Sequence, residues 1–291
     1  MKVTVFGKTG QLARSLRDCE NLDIKCTFLS RDDCDLCDPA MIRSALSHEQ
    51  PDIIINAAAY TDVDRAEREP TIATKVNSTA PKIMAKWAAT HSTKFIHIST
   101  DFVFNGMKQS PYTPDDEATP ICCYGKSKRK GEMEAIDVAP MTTMIIRTAW
   151  LYSEYGNNFV KTMLKLMQER DKLSIVNDQR GSPTYAATLA RIIMQIIKKD
   201  KFKPGIYHWT DRANVSWYEF ARKIQHEALA IGLLERGIPI AKISSEQYPA
   251  LARRPAYSVL ETTKMRELLS TENDDWQVNL RLALTRIARH I

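Results

Sequence analysis

Short apolar runs and longer stretches of helical period alternate along the chain from its first residues. VTVF (3–6), IKCTFL (24–29), DIIIN (52–56), FIHIS (95–99) and TMIIR (143–147) are brief, rich in β-branched or aromatic residues and bounded by turns, the pattern of buried strands. Each is followed by a helical pattern, such as PTIATKVNSTAPKIMAKWAATH across 70–91. This alternation is the sequence form of repeated βαβ units. It predicts an α/β fold, a doubly wound parallel sheet with helices on both faces.

After about residue 150 the pattern loosens into LSIVND, an amphipathic helix near 184–198, GIYHW, a helix opening at SWYEFARKI, and IPIAKIS. These later elements are expected to form a smaller C-terminal lobe at the carboxyl ends of the strands, where ligands bind in such sheets. The division predicted is 1–150 for the main sheet and 151–291 for the lobe, with some segments returning to the sheet. No internal repeat or low-complexity linker separates the two, so one cooperative body is expected.

The first strand runs into FGKTGQLARSL, which sets Gly7 and Gly10 in the turn before the first helix and Ala13 where a third glycine would stand. Such a turn lets the backbone approach a pyrophosphate, whose charge the helix N-terminus favours. Its place after the first strand of a βαβ series favours dinucleotide binding over a mere tight turn. The second strand ends in FLSRDDCDL, where Arg31 arrives before Asp32. An arginine there suits a 2′-phosphate, so NADPH is expected; NADH stays open because Asp32 or Asp33 could reach a ribose hydroxyl.

Composition narrows the classes. The 41 basic and 35 acidic residues are interleaved, so the net charge of +6 reads as solvated surface rather than a nucleic-acid footprint. No apolar run approaches a membrane span and the chain enters a strand directly, so a cytoplasmic protein with no membrane partner is expected. Cys34 and Cys37 lack two further ligands at zinc spacing, so reduced thiols and no metal are expected. The sequence leaves monomer or homodimer open.

Tyr124 and Lys128 in ICCYGKSKRKGE are four apart and share a helix face, where a cation can favour the phenolate. Reduction of a ketone leaves an alkoxide that needs a proton, which a tyrosine can give. Upstream, HISTDFVFNG puts the Thr100 hydroxyl at the carboxyl end of a central strand, where it would meet carbonyl and nicotinamide.

In this order the motifs resemble an extended short-chain dehydrogenase/reductase with a Rossmann-type sheet, and specifically the dTDP-4-dehydrorhamnose reductase family. FGKTGQL (6–12), PDIIINAAAYTDVDRAE (51–67), STDFVFNG (99–106), YGKSKRKGE (124–132), RTAWLY (147–152), GNNFVKTML (156–164), NDQRGSPT (177–184) and RRPAYSVL (253–260) carry the resemblance over nearly the whole chain. It implies NADPH-dependent reduction of the C4 keto group of dTDP-4-dehydro-L-rhamnose to dTDP-L-rhamnose for a cell-surface polysaccharide. It implies cofactor contacts from Gly7, Thr9, Gly10, Gln11, Leu12, Asp35, Leu36, Ala57, Ala58 and Thr61, joined by Tyr124 and Lys128. Thr100, Tyr124 and Lys128 match the catalytic trio: Tyr124 protonating O4, Lys128 binding the ribose and lowering the tyrosine pKa, Thr100 bonding the carbonyl or the phenol. Asp101, Trp150 and Asn158 fall around the sugar, and Arg254 on its diphosphate.

Blander readings stand beside these. The lesser reading of Trp150 is core, of Arg254 a pairing with Glu261, and of Asn157 and Asn158 a helix cap, whereas Trp209, Trp217 and Tyr218 read first as packing. Phe102 stands where the family usually has tyrosine, Ala149 where it has serine, and Ser15 where some members carry a glutamate in a magnesium-linked dimer. Phe102 and Ala149 keep open a 4-ketoreductase for another nucleotide-activated deoxy sugar, and Ser15 bears on the dimer. A non-catalytic nucleotide-binding regulatory subunit is the alternative from another class.

Overall fold

The computed structural model describes residues 1–19 and 24–289. Six strands form one parallel sheet: β1 (Lys2–Phe6), β2 (Lys25–Leu29), β3 (Ile53–Asn56), β4 (Lys94–Thr100), β5 (Thr143–Thr148) and Gly205–His208. The helices are α1 (Gln11–Arg17), α2 (Pro39–Glu49), α3 (Val63–Arg68), α4 (Pro70–Thr74), α5 (Ala80–Thr90), α6 (Cys123–Val138), α7 (Phe159–Glu169), α8 (Ala186–Lys198), α9 (Trp217–Ala230), α10 (Thr263–Leu269) and α11 (Trp276–Ala288). Across the sheet the order is β2, β1, β3, β4, β5 and then Gly205–His208.

Successive strand residues point to opposite faces, and both faces are covered. Val3, Val5, Ile53, Ile55, Ile96 and Met144 meet α1, α8 and α10. Phe6, Ile54 and Phe95 meet α2, α5 and α6 on the other side. The strand order reverses between β1 and β3, which opens a crevice at their carboxyl ends.

The later elements divide between two cores. The expectation that GIYHW and the 184–198 helix belong to the smaller lobe is corrected: Gly205–His208 pairs with β5, and α8 packs on the β1 face beside α1. The apolar face of α8 is wide because α1 and the sheet both cover it. A second core gathers around Phe220 and Trp276 from α7, α9 and α11, flanked by the paired strands Leu173–Val176 and Ile240–Ile243.

The helical stretch 70–91 is interrupted. Lys75–Thr79 makes a π turn between α4 and α5, and such turns frequently mark functional regions. Here Asn77 accepts from the Tyr60 amide at 2.8 Å and donates to the Tyr60 carbonyl and Ser127 Oγ, both at 3.0 Å. Among the described residues no helix is long and apolar enough to cross a membrane.

Candidate active site

A cleft of about 900 Å³ lies over the carboxyl ends of β1, β3, β4 and β5, between the sheet and the second core. At one end is the glycine turn. Gly7 has φ +104°, and a Cβ there would fall 2.9 Å from the Ala58 nitrogen, so only glycine fits. Gly10 caps α1 with no side chain bonded to the helix amides. Thr9, Gln11, Leu12, Ala57, Ala58 and Thr61 line the same end.

Beyond β2, Arg31, Asp35 and Leu36 line the wall. Asp33, a rival for a ribose hydroxyl, instead accepts from Ser30 N at 2.8 Å and Ser30 Oγ at 2.7 Å, with Lys8 Nζ at 3.6 Å. Those Ser30 bonds hold its carboxyl below the ordinary range. Arg31 lies 3.5 Å from Asp35, and its exposed guanidinium can meet a phosphate.

The catalytic end is built by α6 lying on two backbones. Side chains at Gly125 and Gly131 would overlap the carbonyls of Phe102 and Asn77, so these glycines set how close the helix comes. Cys122 Sγ accepts the Gly125 amide at the helix start. Cys122 thus serves the fold as the cap of α6.

Thr100, Tyr124 and Lys128 all line this end of the cleft. The Tyr124 phenol is pushed well above its ordinary value by burial, with Asp101 and Cys122 adding and a Thr100 hydrogen bond pulling it down. This departs from the tyrosine lowered by lysine that the resemblance implied. Lys128 Nζ donates instead to the Ile98 carbonyl at 2.7 Å and lies 3.3 Å from His97 Nε2. Burial lowers the Lys128 ammonium to about 8, against the pull of Glu132. Phe102 meets the Tyr124 ring edge-on, with centroids 5.6 Å apart.

At the sugar end, Asp101 is buried and accepts from Thr100 Oγ1 at 3.1 Å; burial raises its carboxyl to about 6 despite hydrogen bonds from Ser258 and Thr100. Trp150 is half-buried rather than core, held at φ +46° with its ring against Gly181 and stacked on Trp217 at 3.4 Å. Trp217, expected to pack, also lines the cleft, whereas Trp209 is core. Arg254 lines the cleft and donates to Asp64 Oδ2 at 2.8 Å, so its partner is Asp64 and not Glu261. Asn158 is outside the cleft lining: it caps α7 through the Lys161 amide, and its Nδ2 donates to Gln11 Oε1 at 2.9 Å. The Asn158 side chain thus caps α7 and holds it to α1.

A parallel sheet whose crevice joins a glycine turn to a buried tyrosine–lysine pair is the arrangement of an extended short-chain dehydrogenase/reductase. The family model described as RmlD substrate binding domain matches residues 1–289, and the chain belongs to that family. The dTDP-4-dehydrorhamnose reductase of Aggregatibacter actinomycetemcomitans is 41% identical over 95% of this chain and 96% of its own. The crystal structure of a dTDP-4-dehydrorhamnose reductase from Clostridium acetobutylicum superposes with a TM-score of 0.92 at 33% identity, covering 99% of this chain and 100% of that one. One from Bacillus anthracis, in complex with NADP, gives 0.90 at 33% identity over 98% and 99%.

Proposed function

We propose that this chain reduces the C4 keto group of dTDP-4-dehydro-L-rhamnose with NADPH, giving dTDP-L-rhamnose for a cell-surface polysaccharide. The observation that carries the reading is the meeting of Thr100, Tyr124 and Lys128 in the cleft that begins at the Gly7 turn. Full-length relatives bearing that enzyme's name support the substrate.

The cradle fits the cofactor, because glycine at position 7 lets the turn pack against the Ala57–Ala58 backbone, and the start of α1, capped by no side chain, opens on the cleft where a pyrophosphate would lie. When bound, reduced nicotinamide supplies the hydride. Gly7, Thr9, Gly10, Gln11 and Leu12 hold the diphosphate, Ala57, Ala58 and Thr61 flank it, Asp35 and Leu36 border the adenine, and Arg31 takes the 2′-phosphate. Tyr124 keeps its proton across neutral pH and gives it to O4. Thr100 orients the phenol, and Lys128 binds the ribose. Asp101, just beyond β4, and Trp150 and Trp217, packed against the second core of the substrate lobe, shape the sugar pocket. The working unit is a cytoplasmic monomer or homodimer. Ser15 is buried and offers no ligand to a shared cation.

Arg254 exchanges Asp64 for the substrate diphosphate. Arg254→Ala is expected to raise KM by about 10- to 100-fold with kcat little changed, the worth of one charge-assisted hydrogen bond. Steady-state kinetics in the nucleotide sugar read this directly.

NADPH oxidation by the purified chain with dTDP-4-dehydro-L-rhamnose tests the whole reading. Turnover supports it. NADPH binding with no turnover sinks the rhamnose assignment, and turnover with another 4-keto deoxy sugar would establish the alternative substrate.

A further inference from the structure

A row of polar residues crosses the sheet beneath α6. In a parallel pair, residues in register share a face. Asn56 is in register with His97, Ser99 with Arg147, and Arg147 with His208. Lys128 and Glu132 of α6 descend onto this row. Glu132 belongs to Arg147, which leaves Asn56, His97 and Lys128 as a separate chain.

The direction of that chain is fixed by its first member. The Ala58 backbone amide can only donate, and it donates to Asn56 Oδ1 at 3.2 Å. Asn56 Nδ2 therefore faces His97, 3.1 Å from Nδ1. An amide nitrogen can only donate, so His97 Nδ1 accepts. The ring is fully buried, and burial together with the Lys128 charge pushes its pKa well down, so it is neutral. Its one proton then sits on Nε2, pointing at Lys128 Nζ 3.3 Å away. An ammonium has three donors and no acceptor, so the contact opposes two donors; a free amine has a lone pair and makes it a hydrogen bond.

We propose that His97, held in its Nε2–H tautomer by Asn56, is a positioning residue that sets the charge state of Lys128 by offering it a donor that only the free amine can accept. The charged and titratable groups around Lys128 leave room for this control. On α6, Tyr124 is a neutral phenol, and the Glu132 carboxylate, which favours the ammonium, is already shared by Arg147 of β5 and by Arg129. Beyond β4, Asp101 is engaged by Thr100. From the π turn, Asn77 is committed to Tyr60 and Ser127. His97 is thus the group that tips Lys128 away from a fixed charge, and with it the pH at which the site stops working.

This rests on the reductase reading only for its kinetic arm. The structural arm uses the full-length wild-type chain labelled with ¹⁵N-histidine, its His97 signals assigned by their loss in His97→Gln. The expected spectrum has a bare Nδ1 and a protonated Nε2 from pH 6 to 9; the opposite tautomer, or an imidazolium, overturns the proposal. In the kinetic arm, His97→Gln can turn an amide oxygen to the ammonium, and Asn56→Asp supplies an acceptor that moves the ring proton to Nδ1. Both are expected to move the basic limb of kcat for ketone reduction upward by about one pH unit. A lower kcat with the limb unmoved would mean a merely structural role and would also overturn it. If wild type turns over no 4-keto sugar, the reductase reading fails alone, because the tautomer is read without substrate.

Discussion

Tyr124→Phe is expected to lower kcat for ketone reduction by between about a hundredfold and ten-thousandfold while NADPH binding is kept. That range is what one positioned proton donor contributes. Its size is measurable against an intact fold because the change removes only the oxygen: the ring remains buried, edge-on to Phe102 with centroids 5.6 Å apart. The direction of the Tyr124 shift bears on the role. A group that gives a proton to an alkoxide must still hold it at working pH, and burial keeps the phenol protonated there. Single-turnover oxidation of bound NADPH, beside fluorescence titration of the cofactor, separates the lost chemical step from lost binding. Unchanged kcat would remove Tyr124 from the chemistry and leave Asp101, held near 6 by burial, as the next acid in the cleft.

What the sequence could disclose follows from which forces are local. β1, β3, β4 and β5 were legible because strands buried on both faces read as mainly apolar runs bounded by turns. Gly7 was legible because its turn is local to the chain. The Gly205–His208 strand was misplaced because periodicity carries no information about partners, and its pairing with β5 is long-range. The π turn at Lys75–Thr79 leaves the spacing of apolar residues nearly intact, so the stretch around it read as plain helix. Trp217 looked like packing because its exposure depends on Trp150, whose left-handed backbone turns the ring across Gly181. Only Gly181 in NDQRGSPT hinted at that, and its meaning needed the ring in place. His97 reads as one polar residue in a strand until the register sets it beside Asn56.

The largest stability effect is expected from Arg147→Met. Arg147 and Glu132 are buried together, Nε donating to Oε1 at 2.8 Å and Nη2 to Oε2 at 2.7 Å. Breaking such a pair from one side costs about 3–5 kcal/mol, a large part of the roughly 5–15 kcal/mol that holds a domain together. In the native chain burial pushes the Glu132 carboxyl up, but the Arg147 charge and hydrogen bonds, aided by Ser99 and Arg129, bring it below its ordinary value. Glu132 thus stabilises the native fold above the unfolded carboxyl range, and that contribution is lost as pH falls through the depressed value. In Arg147→Met burial is no longer offset by Arg147, and the folded-state pKa rises above the unfolded one. The deficit is then full at high pH and shrinks as pH falls through the raised value, so urea unfolding at pH 5 and pH 8 should show the smaller loss at pH 5. Replacing both partners, in Arg147→Met with Glu132→Leu, should recover much of the loss, since no buried charge is orphaned. The recovered fold carries a second consequence. Glu132 is the group that favours the Lys128 ammonium, so its removal leaves burial and the His97 N–H to act unopposed. The double variant should therefore lose ketone reduction at a lower pH than wild type, the opposite displacement to that of His97→Gln.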